Sequence, residues 1–132
     1  MRLAIIAFTR AGCRHADGIR AVMDSRGNTC EIQAKGKEAS YWGIPVLEGS
    51  LKDWTRQQFA ASDALLFIAA AGIAVRAIAP FVESKASDPA VLCMDEQGKF
   101  VISLLSGHLG GANELTKELA AICGAMPVIT TA

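Results

Sequence analysis

The sequence predicts an α/β fold of three layers, with an open, mostly parallel sheet that carries one antiparallel hairpin. Three observations lead there. Short apolar runs alternate with amphipathic stretches along the chain. Residues 64–70 are apolar without interruption, as strands are when a parallel sheet is covered on both faces. Two further apolar runs, 90–94 and 100–105, flank Asp95-Glu96-Gln97-Gly98-Lys99, a polar linker of hairpin composition. The length of 132 residues suits a single domain, since domains run to about 100–200 residues. A chain near that size buries about 68–70% of its unfolded surface and needs no metal or disulfide to hold a core.

The elements follow in order. Residues 3–8 form an apolar opening strand. Ile19, Val22 and Met23 fall at helical spacing within 16–26, with Asp17 placed as N-cap and Gly27-Asn28 as the stop. Residues 29–33 read as a second strand. Residues 34–49 are broken by Gly36, Gly43, Pro45 and Gly49, and hold the aromatic pair Tyr41-Trp42. Ser50 and Asp53 resemble a capping box, opening a helix to residue 61 with Leu51, Trp54 and Phe59 inward. After the strand at 64–70, Gly72 turns the chain into a short helix over 73–81, which Pro80 ends. The hairpin strands lead to the glycine-rich segment 106–111. An amphipathic helix follows, with Leu115, Leu119 and Ile122 on one side and Glu114, Lys117 and Glu118 on the other. Gly124 stops it, and 126–130 is a last strand. The whole is a Rossmann-like arrangement. Ligands of open α/β sheets gather at the carboxyl ends of strands, so the loops of interest are 9–16, 70–76, 84–89 and 105–113.

Composition excludes several classes. Thirteen basic and thirteen acidic residues leave no net charge, where a nucleic-acid binder shows a basic excess. The charge-free apolar run 64–75 ends at Arg76 and falls short of the roughly 20 residues of a membrane span. The N-terminal apolar stretch is too short for a secretory signal. Cys13, Cys30, Cys93 and Cys123 are far apart, without a CxxC pair, so no zinc ribbon or redox motif is signalled. No metal site is expected, and the thiols fit a reducing cytoplasm.

Four segments can carry chemistry. In SGHLGGAN, 106–113, a strand passes into a helix, a geometry in which backbone N–H groups can meet an anion. Gly107, Gly110 and Gly111 permit close approach, and His108 can act as base or hydrogen-bond donor; the same glycines also suit a plain tight turn. In GIAVRAIAP, 72–80, Arg76 is the lone charge of an apolar stretch, suited to a carboxylate partner or to a structural tie such as Asp88. In SKASDP, 84–89, Lys85 can clamp an anion or be a solvated cation, and Asp88 can hold a turn. The cation-rich 9–15 stretch, with Arg10, Arg14 and His15, can cradle an anion or be a solvated loop, and Cys13 within it is a weak nucleophile candidate. Walker, GxGxxG, GxSxG and HExxH patterns are all missing.

These segments, in this order, resemble the N-terminal region of the CbiG family of cobalamin-biosynthesis proteins. The likeness is carried by the GI-VR-IAP turn, the K--DPAV turn, the DE-G hairpin, the GH-GGAN loop and the PVITTA end, and is dense from Asp63 onward. The resemblance implies a cytoplasmic cobalt-precorrin 5A hydrolase of the anaerobic pathway. Such an enzyme opens the δ-lactone of a ring-contracted cobalt corrinoid and releases acetaldehyde. The substrate is a flat tetrapyrrole edged with carboxylates; its cobalt comes with it, and no further cofactor is implied. Gly72, Arg76, Lys85, Gly107, Gly110, Gly111 and Asn113 then become substrate-binding candidates. Chemistry, rather than the family, suggests His108, Asp88 or Glu114 to activate the water, with loop N–H groups or the Asn113 amide on the oxyanion. The family continues past the TTA segment into a middle region and a C-terminal domain, so the resemblance implies that this chain is the N-terminal domain of a longer enzyme and works with that C-terminal domain in cis or in trans. A homodimer is a further expectation. Two alternatives stand beside it: a non-catalytic tetrapyrrole-binding module, and a nucleotide-binding α/β domain.

Overall fold

The computed structural model describes residues 1–131; Ala132, the end of the expected TTA motif, lies outside them. The chain runs β1 (Arg2–Ala7), α1 (Arg10–Ser25), β2 (Thr29–Ala34), α2 (Leu51–Ala61), β3 (Ala64–Ile68), α3 (Ala71–Ile78), β4 (Ala90–Met94), β5 (Phe100–Leu105), α4 (Ala112–Cys123) and β6 (Met126–Val128). One sheet has the strand order β2-β1-β3-β4-β5-β6. The pairs β1–β2, β1–β3, β3–β4 and β5–β6 are parallel, and β4–β5 is antiparallel. The expected three-layer, mostly parallel sheet with one hairpin is therefore the observed fold.

Strand composition explains the layering. Alternate residues of β1, β3 and β4 point to opposite faces, and every residue of β3 and β4 is buried. On one face Leu3, Ile5, Leu66, Ile68, Leu92 and Met94 meet α1 and α4 through Ile19, Met23, Leu115 and Leu119. On the other, Ile6, Leu65, Phe67 and Val91 meet α2 and α3 through Trp54, Ala74 and Ile78. The Trp54 and Phe67 rings cross edge to face at 5.8 Å, a geometry worth about 0.5–1.5 kcal/mol beyond burial.

Several boundaries correct the sequence expectations. The first helix begins at Arg10, not near residue 16, and its cap is Thr9, not Asp17: the Thr9 hydroxyl accepts from the Gly12 N–H at 3.0 Å. The expected cationic loop 9–15 is thus two turns of helix. Their inward residues, Gly12, Cys13 and Ala16, are small and buried, so they carry little apolar signal. Asp17 instead pairs with Arg20 at 2.6 Å. The strand expected over 64–70 stops at Ile68, the helix expected from 73 begins at Ala71 and passes into one 3-10 turn over Ala79–Phe81, and the last strand stops at Val128. Ser50 caps α2 as expected, accepting from the Asp53 N–H at 3.0 Å.

Three of the four cysteines are buried and all four are free. Burial pushes the Cys30 thiol up to about 12 and the Cys93 thiol up to about 11. Cys13, fully buried on α1, is also pushed up, which removes it as a nucleophile. Thr9→Ala should lower stability by about 1 kcal/mol, the usual value of a hydroxyl N-cap, read as a shift in urea midpoint. The thiols set a pH dependence. Below the ordinary thiol value of 9.0 both folded and unfolded states keep the Cys30 and Cys93 protons. Above it the unfolded chain loses them first, so stability should fall as pH rises from 9.0 through the folded values. Urea midpoints measured across that window should decline less steeply in a Cys30→Ala, Cys93→Ala double variant.

Candidate functional site

The antiparallel step between β4 and β5 sorts the site candidates into two groups. Because β5 and β6 run against the other strands, the segment after β5 lies at the amino-terminal edge of β1, β3 and β4. The expectation that 105–113 joins 9–16 and 70–76 at the carboxyl ends of the parallel strands is corrected on this point. The 84–89 turn precedes β4 and lies at the amino-terminal edge too. The Ser106 hydroxyl donates to the Asp88 carbonyl at 3.1 Å and ties the two segments together. Lys85, Asp88, Gly107, His108, Gly110, Gly111, Asn113 and Glu114 therefore share one edge, while Gly72 and Arg76 do not.

Backbone donors dominate this edge. The N–H groups of Ala112 and Asn113, at the start of α4, turn back onto the carbonyls of Ser106 and Gly107. These two donors are therefore occupied, while the Glu114 N–H beside them has no protein acceptor among the described residues. The N–H groups of Gly107, His108, Leu109 and Gly110 also find no protein acceptor among the described residues. A run of successive free amides can collect an anion. Ser106 enters the loop at φ 61, the one positive-φ non-glycine among the described residues, and that conformation costs of order 1–3 kcal/mol.

The glycines are spent on close approach. A Cβ on Gly110 would stand 2.5 Å from the Ser106 Cβ and 2.9 Å from its carbonyl. One on Gly107 would stand 2.8 Å from the Asn113 Oδ1. Asn113 is buried, accepting from the Ser103 hydroxyl at 2.8 Å and donating to the Thr131 hydroxyl at 2.6 Å. Its amide stitches β5, α4 and the Thr131 segment together.

The three catalytic candidates differ sharply. Asp88 is buried, and its two oxygens accept from the Glu83 N–H at 3.2 and 3.0 Å; it holds the turn. Glu114 is exposed and pairs with Lys117 at 3.2 Å. It lines a cleft of about 390 Å³ with Gly110, Gly111, Asp63 and Glu118. Asp63 there accepts the Arg2 N–H at 2.7 Å, and Glu118 pairs with Arg26 at 2.7 Å. Met1, which carries the terminal ammonium, lines the same cleft. His108 is exposed on the free-amide loop, and Lys85 is exposed with no ion pair among the described residues.

At the opposite edge Arg76 folds back along α3, its guanidinium 3.3 Å from where a Gly72 Cβ would be. It lines a cleft of about 380 Å³ with Lys52 over Leu51, Ile73, Ala77 and Pro80. It is exposed and unpaired among the described residues, and the tie to Asp88 expected as one alternative is not formed. The free amides at 107–110 had no signal in the sequence beyond glycine content. Among the described residues no cluster of His, Cys, Asp and Glu could hold a metal ion, and no helix is long and apolar enough to cross a membrane.

Gly110→Ala should therefore destabilise the fold by about 1–3 kcal/mol, the usual cost of overpacking. His108→Ala, beside it but exposed, should stay within about 0.5 kcal/mol of the parent. Thermal midpoints of the two variants measured side by side give the contrast.

Comparison with known proteins supports the resemblance. Residues 53–132 match the family profile described as cobalamin synthesis G N-terminal. A cobalt-precorrin-5A hydrolase of Salmonella typhimurium is 47% identical over 130 residues, covering 98% of this chain and 35% of that protein. One from Priestia megaterium is 37% identical over 129 residues, covering 98% and 34%. The crystal structure of a cobalamin biosynthesis protein G homolog from Sulfolobus solfataricus superposes with TM-score 0.72 at 26% identity, over 98% of this chain and 36% of that one. The chain spans about a third of the length of the curated relatives it matches.

Proposed function

The chain belongs to the cobalamin synthesis G N-terminal family, and from that premise we propose that it is the N-terminal part of a cobalt-precorrin-5A hydrolase. The observation that carries this is the likeness to two proteins of that activity along 98% of the chain. The reaction would be hydrolysis of the substrate's δ-lactone with loss of acetaldehyde. The cobalt arrives in the substrate, and the roles proposed for these side chains call for no cofactor of the protein's own. The free thiols suit a reducing cytoplasm.

The amino-terminal edge supplies the chemistry in this reading. His108 takes a proton from water as its oxygen attacks the lactone carbonyl. The free N–H groups of the 107–110 loop receive the developing oxyanion, as preorganised donors in a fixed loop can. Lys85 meets a peripheral carboxylate of the ring, and the Ser106–Asp88 bond holds the turn of Lys85 against the loop of His108. The carbonyl–oxygen bond breaks to leave an alkoxide on the two-carbon unit. That alkoxide collapses to the aldehyde, its bond to the ring carbon breaks, and the electron pair passes into the conjugated ring, where a proton replaces it. Glu114, exposed and paired with Lys117, is less suited to this task than His108.

A second reading keeps the tetrapyrrole but removes the catalysis. It is favoured by the position of Gly72 and Arg76 at the other edge, away from His108, so that no single surface of this chain gathers every candidate. In that case the chain positions the ring and the family's C-terminal domain opens it. The two readings separate on acetaldehyde release from cobalt-precorrin 5A, measured with the C-terminal domain supplied in trans. His108→Ala should lower release about 10²–10⁴-fold, and Lys85→Ala should raise KM more than it lowers kcat. Unchanged release in the His108 variant would transfer the chemistry to the other domain.

A further inference from the structure

The carboxyl edge of β1 and β2 holds a feature that the lactone chemistry does not use. Between β2 and α2 the chain forms a short excursion over residues 35–50. It is firmly anchored: Ala34 N–H donates to the Pro45 carbonyl at 2.9 Å, Leu47 N–H to the Ala34 carbonyl at 2.7 Å, and Ala39 and Ile44 are buried. At its tip Ile44 N–H donates to the Tyr41 carbonyl at 3.0 Å, and Gly43 has φ 72. This is a tight turn whose third residue needs the left-handed backbone that glycine supplies. Trp42 occupies the second position and is 91% exposed, although Tyr41 beside it is packed against the core. An indole held out by an anchored turn gains no burial from the fold that displays it.

Two cations stand with it. Arg10 is the first residue of α1, where the macrodipole is positive and a cation is disfavoured, and the first turn holds no acid to offset it. Lys37 begins the 3-10 turn below the tip. Neither forms an ion pair among the described residues. Arg10, Lys37, Glu38, Tyr41, Trp42 and Ile44 line an open cleft of about 910 Å³. Glu38 is the single carboxylate there, and its Oε2 is turned to within 3.4 Å of the position a Gly36 Cβ would take. Two unpaired cations against one carboxylate, a displayed indole face and room for a small molecule make a complementary set for a flat conjugated ring with anionic groups on its rim.

We propose that this cleft is a second ligand site, separate from the His108 edge, that binds a planar conjugated anion with its ring on Trp42 and its anionic groups on Arg10 and Lys37. A polycarboxylate corrinoid and a flavin mononucleotide share that chemistry and are the two sources to separate. The proposal does not depend on the lactone-opening reading, because binding is measured without turnover.

Equilibrium dialysis of the 132-residue chain against cobyrinic acid and, separately, against flavin mononucleotide measures it. The parent should bind at least one of the two saturably, and whichever binds identifies the ring class. Arg10→Gln with Lys37→Gln should weaken that binding at least tenfold and flatten its salt dependence, and Trp42→Ala should weaken it by a similar factor. Arg56→Gln, an exposed cation on α2 outside both sites, should leave it unchanged. All four positions are exposed, and a far-UV spectrum and thermal midpoint equal to the parent's show that the fold is kept. Saturable binding of neither probe overturns the proposal, as does binding that survives the Arg10, Lys37 and Trp42 changes. Loss of binding in Arg56→Gln overturns the assignment to this cleft. Loss of acetaldehyde release with intact dialysis would bear on the lactone chemistry alone.

Discussion

Asp95 folds its carboxylate back over the turn that joins β4 to β5, accepting from the N–H groups of Gln97, Lys99 and Phe100 at 3.2, 2.9 and 2.7 Å. These bonds satisfy three backbone donors that a tight reversal would otherwise leave to water. The reversal they hold sets the direction of everything after it. Were the chain to cross over and continue in parallel, the 106–113 loop would open at the same edge as Arg10 and Arg76. Because it reverses, the loop opens at the opposite edge, beside Lys85 and Asp88. It also determines the face of α4: a right-handed connection between two inverted strands puts the helix on the side of α1, where Leu115 and Leu119 join Ile19 and Met23 in one core.

What the sequence makes legible follows from burial. Strands covered on both faces are apolar throughout, so β3 and β4 stand out, and a polar linker between two such runs identifies the hairpin. Helices announce themselves when large apolar residues recur, as Leu115, Leu119 and Ile122 do. The start of α1 is hidden for the converse reason. Its inward surface is built from Gly12, Cys13 and Ala16, which fit close to the sheet without contributing hydrophobic bulk. Thr9 is the one local signal, and a threonine after a strand is ambiguous between loop and cap. The 35–50 excursion is opaque because its order comes from isolated backbone bonds to Ala34, which no periodicity encodes.

The site candidates were legible as residues and not as a constellation. Which ones meet is a matter of strand direction, and strand direction is not a property of any motif. Of the amide donors in the 107–110 loop, the sequence shows only that glycine is frequent there. That these donors are free, while those of Ala112 and Asn113 fold back onto Ser106 and Gly107, is a matter of loop geometry. Asn113 illustrates the same limit: an amide in a glycine-rich loop suggests a ligand, yet its bonds to Ser103 and Thr131 spend it on the frame.

Zero net charge is the sum of two unlike edges. α1, α2 and α3 all begin at the carboxyl edge, so three positive helix ends coincide there with Arg10, Lys37, Lys52 and Arg76. The amino-terminal edge carries Asp63, Glu114 and Glu118 around one cleft with the Met1 ammonium, two of the three carboxylates being paired with Arg26 and Lys117, and Lys85 and the loop amides stand beside it. A large anionic ring thus meets several cations at the carboxyl edge around β1, β2 and β3, away from Asp95 and Glu96 beyond β4, but only a narrow set of donors at His108. Chemistry at a lactone needs the narrow kind, since donors must address one oxygen and leave the rest of the molecule free to be held elsewhere. Holding a ring needs the broad kind. In a fold whose chain reverses once, these two requirements can be met by opposite ends of a single sheet.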